Sequence, residues 1–183
     1  STHSYGGIIL HDVVNIRHSK KALSMGADGL IAVCSGAGGH AGRLSPFALI
    51  PEIRQFHDGP LLLSGSISTG GSVAGALAIG ADLAYIGTRF IASKEANAVD
   101  GYKQEIIDSS GEDIVYSSLF TGVHGNHLKG SIEKAGLDPA NLPTERSMLP
   151  VTITSTIPAA RKDVTVIWRN RFEKFCDAVN LPS

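Results

Sequence analysis

Four short apolar runs set the rhythm of the first half of the chain: "GGIILHDVV" (6–14), "GLIAVC" (29–34), "PLLLSGSI" (60–67) and "LAYIGTRF" (83–90). Each is nearly continuous in apolar character before a polar end, the pattern of a strand buried on both faces. Helical patterning separates them. Over residues 15–27, Ile16, Ala22 and Leu23 share one side while Arg17, Lys20 and Lys21 lie elsewhere, which predicts an amphipathic helix closed at Gly26. Residues 45–59 predict a second helix with Ser45 as N-cap and Pro46 at the first position, and with a break or kinked start required by Pro51. The small apolar residues of 68–82 predict a third helix that lies close to a sheet. Strands alternating with helices define βα units and a parallel sheet.

Two tripeptides echo each other. Gly26-Ala27-Asp28 and Gly80-Ala81-Asp82 each close a helix and launch a strand, so the architecture is built from repeated units. After Phe90 the texture changes. Residues 92–113 predict a helix that starts near Ser93 and runs through Tyr102 and Ile106-Ile107, whereas the region from Ile114 onward, with Pro139, Pro143, Pro150 and Pro158, has no clear period. A last helix is predicted over 164–181, where Trp168, Phe172, Phe175 and Val179 fall on one face. These features together predict an irregular, helix-rich appendage over 94–183.

Composition narrows the function classes. The chain has 183 residues with 43% hydrophobic content, which suits a single folded domain. Its formal net charge is −1 and its Lys and Arg residues are dispersed, so neither nucleic acid nor a membrane surface is an expected partner. Cys34 and Cys176 lie far apart without CxxC spacing, and Cys34 sits in an apolar run, which predicts a reducing, cytoplasmic setting without a disulfide. No run of about 18 apolar residues and no signal-peptide pattern is present, which reads as a soluble protein. The chain starts at Ser1 and passes almost directly into a strand, from which a preceding N-terminal part is expected.

The polar features of the four runs sit where strand carboxyl ends are expected, the end that carries sites in parallel α/β folds. They are His11-Asp12, the loop "SGAGGHAG" around His40, "GSISTGG" (65–71) and "GTRF" (87–90). Free N–H groups in a glycine-rich turn at a helix start bind phosphate, but ordinary tight βα turns are equally rich in glycine, so spacing alone leaves both readings open. His40 alone reads either as an exposed loop residue or as a base with space beside its imidazole. His124 and His127 have the spacing of metal ligands but lack a convincing third, and a solvated or capping role suits them better. Arg89 suits a phosphate or a loop anchor, and Asp12 suits a sugar hydroxyl or an ordinary acidic strand end.

The stretches "GADGLIAVCSGAGGHAG" and "SGSISTGGSVAGALAIGADLAYIGTRFIASKEANA" resemble the nitronate monooxygenases, formerly called 2-nitropropane dioxygenases, and share much with FMN-dependent enoyl-ACP reductases. The likeness runs from about Gly6 to about Gly136. It implies a TIM (β/α)8 barrel that binds FMN without covalent linkage, with residues 1–93 supplying strands 5–8, the C-terminal half. It further implies that Gly65, Ser66, Ile67, Gly87 and Thr88 hold the FMN phosphate, and that His40 is the catalytic, substrate-binding histidine. The implied reaction oxidises an alkyl nitronate with O2 to a carbonyl compound and nitrite. An NAD(P)H-dependent enoyl-ACP reductase and a non-catalytic flavin- or phosphate-binding half-barrel are the alternatives.

The chain also departs from the family pattern. His11-Asp12 stands where relatives often carry a basic residue, the C-terminal "GQG" segment is missing, and Ser66 replaces a glycine common in the "SGGI" form of the phosphate loop. Four βα units do not close an eight-stranded barrel. The other half is therefore expected from further residues, from another chain, or from a homo-oligomer of half-barrels.

Overall fold

The computed structural model describes residues 2–144 and, for the backbone alone, 166–168. Along the chain run β1 (Leu10–Val13), α1 (Ile16–Ser24), β2 (Gly29–Val33), β3 (Gly39–His40), α2 (Pro46–Arg54), β4 (Leu61–Ser64), α3 (Gly70–Ala78), β5 (Leu83–Ile86) and α4 (Thr88–Ile91). There follow α5 (Asp100–Asp108), β6 (Ile114–Ser117), β7 (Gly125–Leu128), α6 (Lys129–Lys134) and β8 (Val166–Trp168). Among the described residues, 2–35, 43–86 and 166–168 form one compact unit, and 36–42 with 87–144 form a second.

The first unit is α/β with a sheet in the order β1-β2-β4-β5-β8. The pairs β1/β2, β2/β4 and β4/β5 are parallel, as the alternation of runs predicts, and β8 joins the edge of β5 antiparallel. The strand period of two sorts the central residues between faces. Leu30, Ala32, Leu61 and Leu63 pack with Ala22 of α1, Leu49, Ile50 and Ile53 of α2, and Ala76 of α3. Ile31, Leu62 and Leu83 form a separate buried row with Leu10, Val33 and Tyr85, made of strand residues alone. All three crossover helices therefore pack on one face of the sheet, and the opposite face presents an apolar layer.

Local chemistry starts each helix where the sequence predicts. The side chains of Asn15, Ser45 and Thr69 cap α1, α2 and α3 by accepting the N–H groups of His18, Phe47 and Ser72. Pro51, expected to break or kink α2, lies inside it. The carbonyl that loses its donor belongs to Phe47, an exposed residue in the first turn, so the helix continues at modest cost.

Four expectations from Gly87 onward need correction. The chain turns helical at Thr88, so "GTRF" is not strand, and the predicted helix over 92–113 is confined to α5 and a one-turn 3₁₀ segment at Gly111–Asp113. The region from Ile114, expected to be irregular, contains strands β6 and β7, which pair antiparallel. Within the stretch expected as a last helix, Val166–Trp168 form β8, in keeping with the strand preference of Val166 and Ile167. Phe172, Phe175 and Val179 lie outside the described residues. No helix among the described residues is long and apolar enough to cross a membrane.

The echoed tripeptides have identical geometry. Gly26 (φ 91°) and Gly80 (φ 110°) end α1 and α3 in the left-handed region, and the following Ala27 and Ala81 donate back to Ala22 and Ala76. The acidic residue then grips the neighbouring strand twice. Asp28 N–H donates to Ile9 O at 2.9 Å, and the Ile9 N–H donates to the Asp28 carboxylate at 2.6 Å. Asp82 repeats this on Leu61, donating at 2.8 Å and accepting at 2.9 Å. Arg54 completes the second clamp with bonds to Gly80 O, His57 O, Gly59 O and, at 2.6 Å, the Asp82 carboxylate.

Asp82→Ala strands the N–H of fully buried Leu61 and removes one of the four bonds of the Arg54 guanidinium, and is expected to lower the unfolding free energy by about 2 kcal/mol in denaturant titration. A loss below about 0.5 kcal/mol contradicts the clamp. Asp28 tests the same device through pH. The Ile9 N–H, then His3, holds its carboxyl below the usual range. Stabilisation from a depressed carboxyl is complete above the unfolded value and disappears as pH falls through the folded value. Asp28→Asn should therefore flatten the acid limb of the stability curve, and an unchanged limb counts against the assignment.

Candidate functional site

The carboxyl end of β4 carries a constrained backbone. Gly65 has φ 153°, and a Cβ built on it would lie 2.7 Å from Ser35 O and 3.3 Å from Cys34 Cβ. Ser66 follows at φ 50°, the only described non-glycine residue in the left-handed region. Such a conformation costs an ordinary residue roughly 1 kcal/mol, so Ser66 keeps the backbone path of the glycine it replaces. The chain then enters α3, whose Thr69 cap occupies the Ser72 N–H. The N–H groups of Gly70 and Gly71, in the first turn, have no intrahelical carbonyl to bond. A Cβ on Gly70 would meet nothing within 4 Å, so this helix start is open.

The neighbouring strand β5 ends at Ile86, in parallel register with β4 through Leu62↔Leu83 and Leu63↔Ala84. Gly87 caps α4 without a side-chain bond, and Thr88 begins that helix exposed. On the other edge, His11 Nδ1 lies 2.8 Å from the carbonyl of Asp12, near the end of β1. Cys34, after β2, is fully buried and its thiol is pushed up to about 12 by burial, which makes it an inert space-filler.

The second unit holds His40 and builds a frame around its loop. β3 pairs with β7 antiparallel, Gly39 against Asn126 and His40 against Gly125. A Cβ on Gly125 would lie 2.9 Å from Gly39 O, so only glycine lets these strands meet. The frame holds the loop at four further points. Asn126 Nδ2 donates to Ala37 O at 2.7 Å, Ala41 N–H to His124 O at 3.2 Å, and Tyr116 hydroxyl to Ala41 O at 3.2 Å. The fourth is a 3.0 Å contact between His40 Nε2 and Thr121 Oγ1. At the loop's start, a Cβ on Gly38 would collide with the Thr88 hydroxyl.

The two other histidines of this unit have separate surroundings. His124 stacks on Tyr116 with ring centroids 5.1 Å apart. His127 is buried, packs edge-on to Phe120 at 4.7 Å, and leaves Nε2 without a hydrogen-bond partner. Burial, then His40, lowers the affinity of His127 for a proton. Among the described residues no group of three His, Cys, Asp or Glu side chains is arranged to hold a metal ion.

Of the expected residues, Gly65, Ser66 and Ile67 thus follow β4, Gly87 and Thr88 follow β5, and His40 lies in β3. Sequence reasoning missed Thr121, Tyr116 and Asn126, which hold the His40 loop. A signal existed in "IVYS", a run of β-branched and aromatic residues, and in "TGVHGN", a glycine-bearing turn before a second strand.

An α/β fold with glycine-rich turns at the carboxyl ends of adjacent parallel strands defines a ligand-binding class of domain. The chain belongs to the nitronate monooxygenase family, whose sequence pattern matches residues 1–178. It is 27% identical over 140 residues to a nitronate monooxygenase of Paraburkholderia phytofirmans, covering 72% of this chain and 38% of that protein. It is 30% identical over 135 residues to the (3aS,4S,5R,7aS)-5-hydroxy-7a-methyl-1-oxo-octahydro-1H-indene-4-carboxyl-CoA dehydrogenase of Rhodococcus jostii, again covering 72% of this chain and 38% of the relative. Among solved structures, the nitroalkane oxidase of Streptomyces ansochromogenes matches with a TM-score of 0.63 and 29% identity over 68% of this chain and 39% of that one. A mutant FabK from Thermotoga maritima matches with a TM-score of 0.63 and 26% identity over 79% of this chain and 52% of its own. The chain thus spans well under half the length of these two curated relatives.

The β4 turn makes a paired prediction. Gly65→Ala forces a Cβ against the Ser35 carbonyl and should lower stability by about 2 kcal/mol or more, whereas Ser66→Gly relieves a left-handed serine and should leave stability equal or raised by up to about 1 kcal/mol. Thermal unfolding of the two variants measures this, and destabilisation by Ser66→Gly contradicts the strained-turn description.

Proposed function

We propose that this chain supplies the FMN-binding and proton-accepting part of an enzyme that oxidises alkyl nitronates with O2 to carbonyl compounds and nitrite. Helices on a single face of a parallel sheet, over an opposite apolar face of strand residues, support reading the first unit as strands 5–8 of a TIM barrel. A doubly wound fold would carry helices on both faces. The homologues named as nitronate monooxygenases and the nitroalkane oxidase neighbour support the substrate class.

In this reading the cofactor's phosphate lies on backbone N–H groups, not on a lysine. Gly65, Ser66 and Ile67 after β4, and Gly87 with Thr88 after β5, would offer those N–H groups, as would the open first turn of α3. The Cβ-free backbone at Gly65 and the glycine-like path at Ser66 fit a phosphate drawn close to the main chain. Bound FMN supplies the electron-accepting chemistry. His40 takes the proton from a neutral nitroalkane, or holds the nitro group of a preformed nitronate. The observation that carries the proposal is the collision a Cβ on Gly38 would make with Thr88, since it ties the His40 loop to the residue that begins the turn after β5.

A second reading is an FMN-dependent reductase or dehydrogenase that exchanges electrons with NAD(P)H, favoured by the indene-carboxyl-CoA dehydrogenase relative. Anaerobic mixing separates the two. Bleaching of the flavin by a nitronate but not by NADH supports the oxidase, and rapid bleaching by NADH supports the reductase. Purified protein should show flavin absorption bands, and their absence overturns both readings. His40→Asn should depress oxidation of neutral nitroalkanes by roughly 10²-fold or more while sparing preformed nitronates, the signature of a lost general base. Equal loss on both substrates leaves only electrostatic binding.

A further inference from the structure

Thr121 stands opposite His40 in the second unit, at the turn that joins β6 to β7. Its hydroxyl has three contacts. Oγ1 donates to Val123 O at 2.9 Å, receives the Val123 N–H at 3.4 Å, and lies 3.0 Å from His40 Nε2. A hydroxyl has one proton and two lone pairs. With the proton engaged on the Val123 carbonyl, Oγ1 can only accept from the imidazole, so His40 Nε2 must carry a hydrogen. A neutral imidazole has one N–H, and the bond made by one ring nitrogen fixes the state of the other.

We propose that Thr121 is a positioning residue that sets the tautomer of His40, so that Nδ1 is the atom that accepts the substrate proton. This rests on the reading of His40 as a base and names its reactive atom. The arrangement suits a proton acceptor because the Nε2–H···Oγ1 bond is the same in the neutral and the protonated ring. Proton uptake at Nδ1 then requires no rotation of the Thr121 hydroxyl and no loss of its bond to Val123 O. No hydrogen bond engages His40 Nδ1 among the described residues, and the His40 side chain is exposed, which leaves that lone pair open to a ligand.

Nitrogen-15 spectra of the imidazole-labelled protein test the tautomer without reference to turnover. The His40 signals are assigned as those lost in His40→Asn. At a pH where the ring is neutral, the wild type should show Nε2 protonated and Nδ1 bare, Thr121→Ser should keep that pattern, and Thr121→Val should shift both nitrogens toward a mixture of tautomers. A wild-type ring protonated at Nδ1 overturns the proposal, as does a pattern unmoved by Thr121→Val. The kinetic counterpart is a loss of roughly tenfold in nitroalkane oxidation by Thr121→Val, with nitronate oxidation retained and Thr121→Ser restored, part of what a disabled general base loses. Full activity in His40→Asn would overturn the base reading while leaving the tautomer result standing, so the two failures are told apart.

Discussion

The site loops depend on where the parallel strands begin. A parallel ladder offers no tight hairpin to fix its register, and a one-residue slip would turn every strand side chain to the opposite face. Here the register is set at the amino ends by two acidic residues. Asp28, just before β2, and Asp82, just before β5, each exchange two hydrogen bonds with the start of the adjacent strand, Ile9 just before β1 and Leu61 at the head of β4. Glycine in the left-handed region at the end of the preceding helix aims each carboxylate at that residue. With one end pinned, the rise per residue fixes where β4 and β5 end.

The two units are built differently. The first supplies a backbone surface: a strained turn at Gly65-Ser66, an open helix start, and an apolar sheet face. The second supplies the imidazole and its restraints. A histidine among glycines has little packing to hold it, and the frame of β6 and β7 replaces that packing with hydrogen bonds from Asn126, Tyr116, Thr121 and the backbone of His124. Such a frame can position a side chain without filling the space beside it, which a substrate would need.

Much of the first unit was legible because its determinants are local. Continuous apolar runs marked strands, the cap Ser45 marked a helix start, and the echo of Gly-Ala-Asp marked a repeated unit, although the two-way grip of its aspartate needed coordinates. The second unit was less legible. Its sheet joins Gly39-His40 to residues some 85 positions later, a pairing for which "GH" offers no propensity signal. Thr121 was invisible for the same reason: its importance is a contact with His40 across 81 residues, and nothing in "FTGVHG" distinguishes it from any turn threonine. Ser66 was legible as a substituted glycine, but only its φ of 50° establishes that the glycine path was kept.

The central claim is that backbone N–H groups at the ends of β4 and β5 form a phosphate cradle for a flavin nucleotide. Titration of the protein, freed of any bound flavin, with FMN and with riboflavin, followed by quenching of flavin fluorescence, tests it directly because the two ligands differ only in the phosphate. The account predicts that FMN binds at least roughly tenfold more tightly than riboflavin, the contribution expected of a phosphate on a helix start and its turn. Equal affinity for the two, or no binding of either, would contradict it.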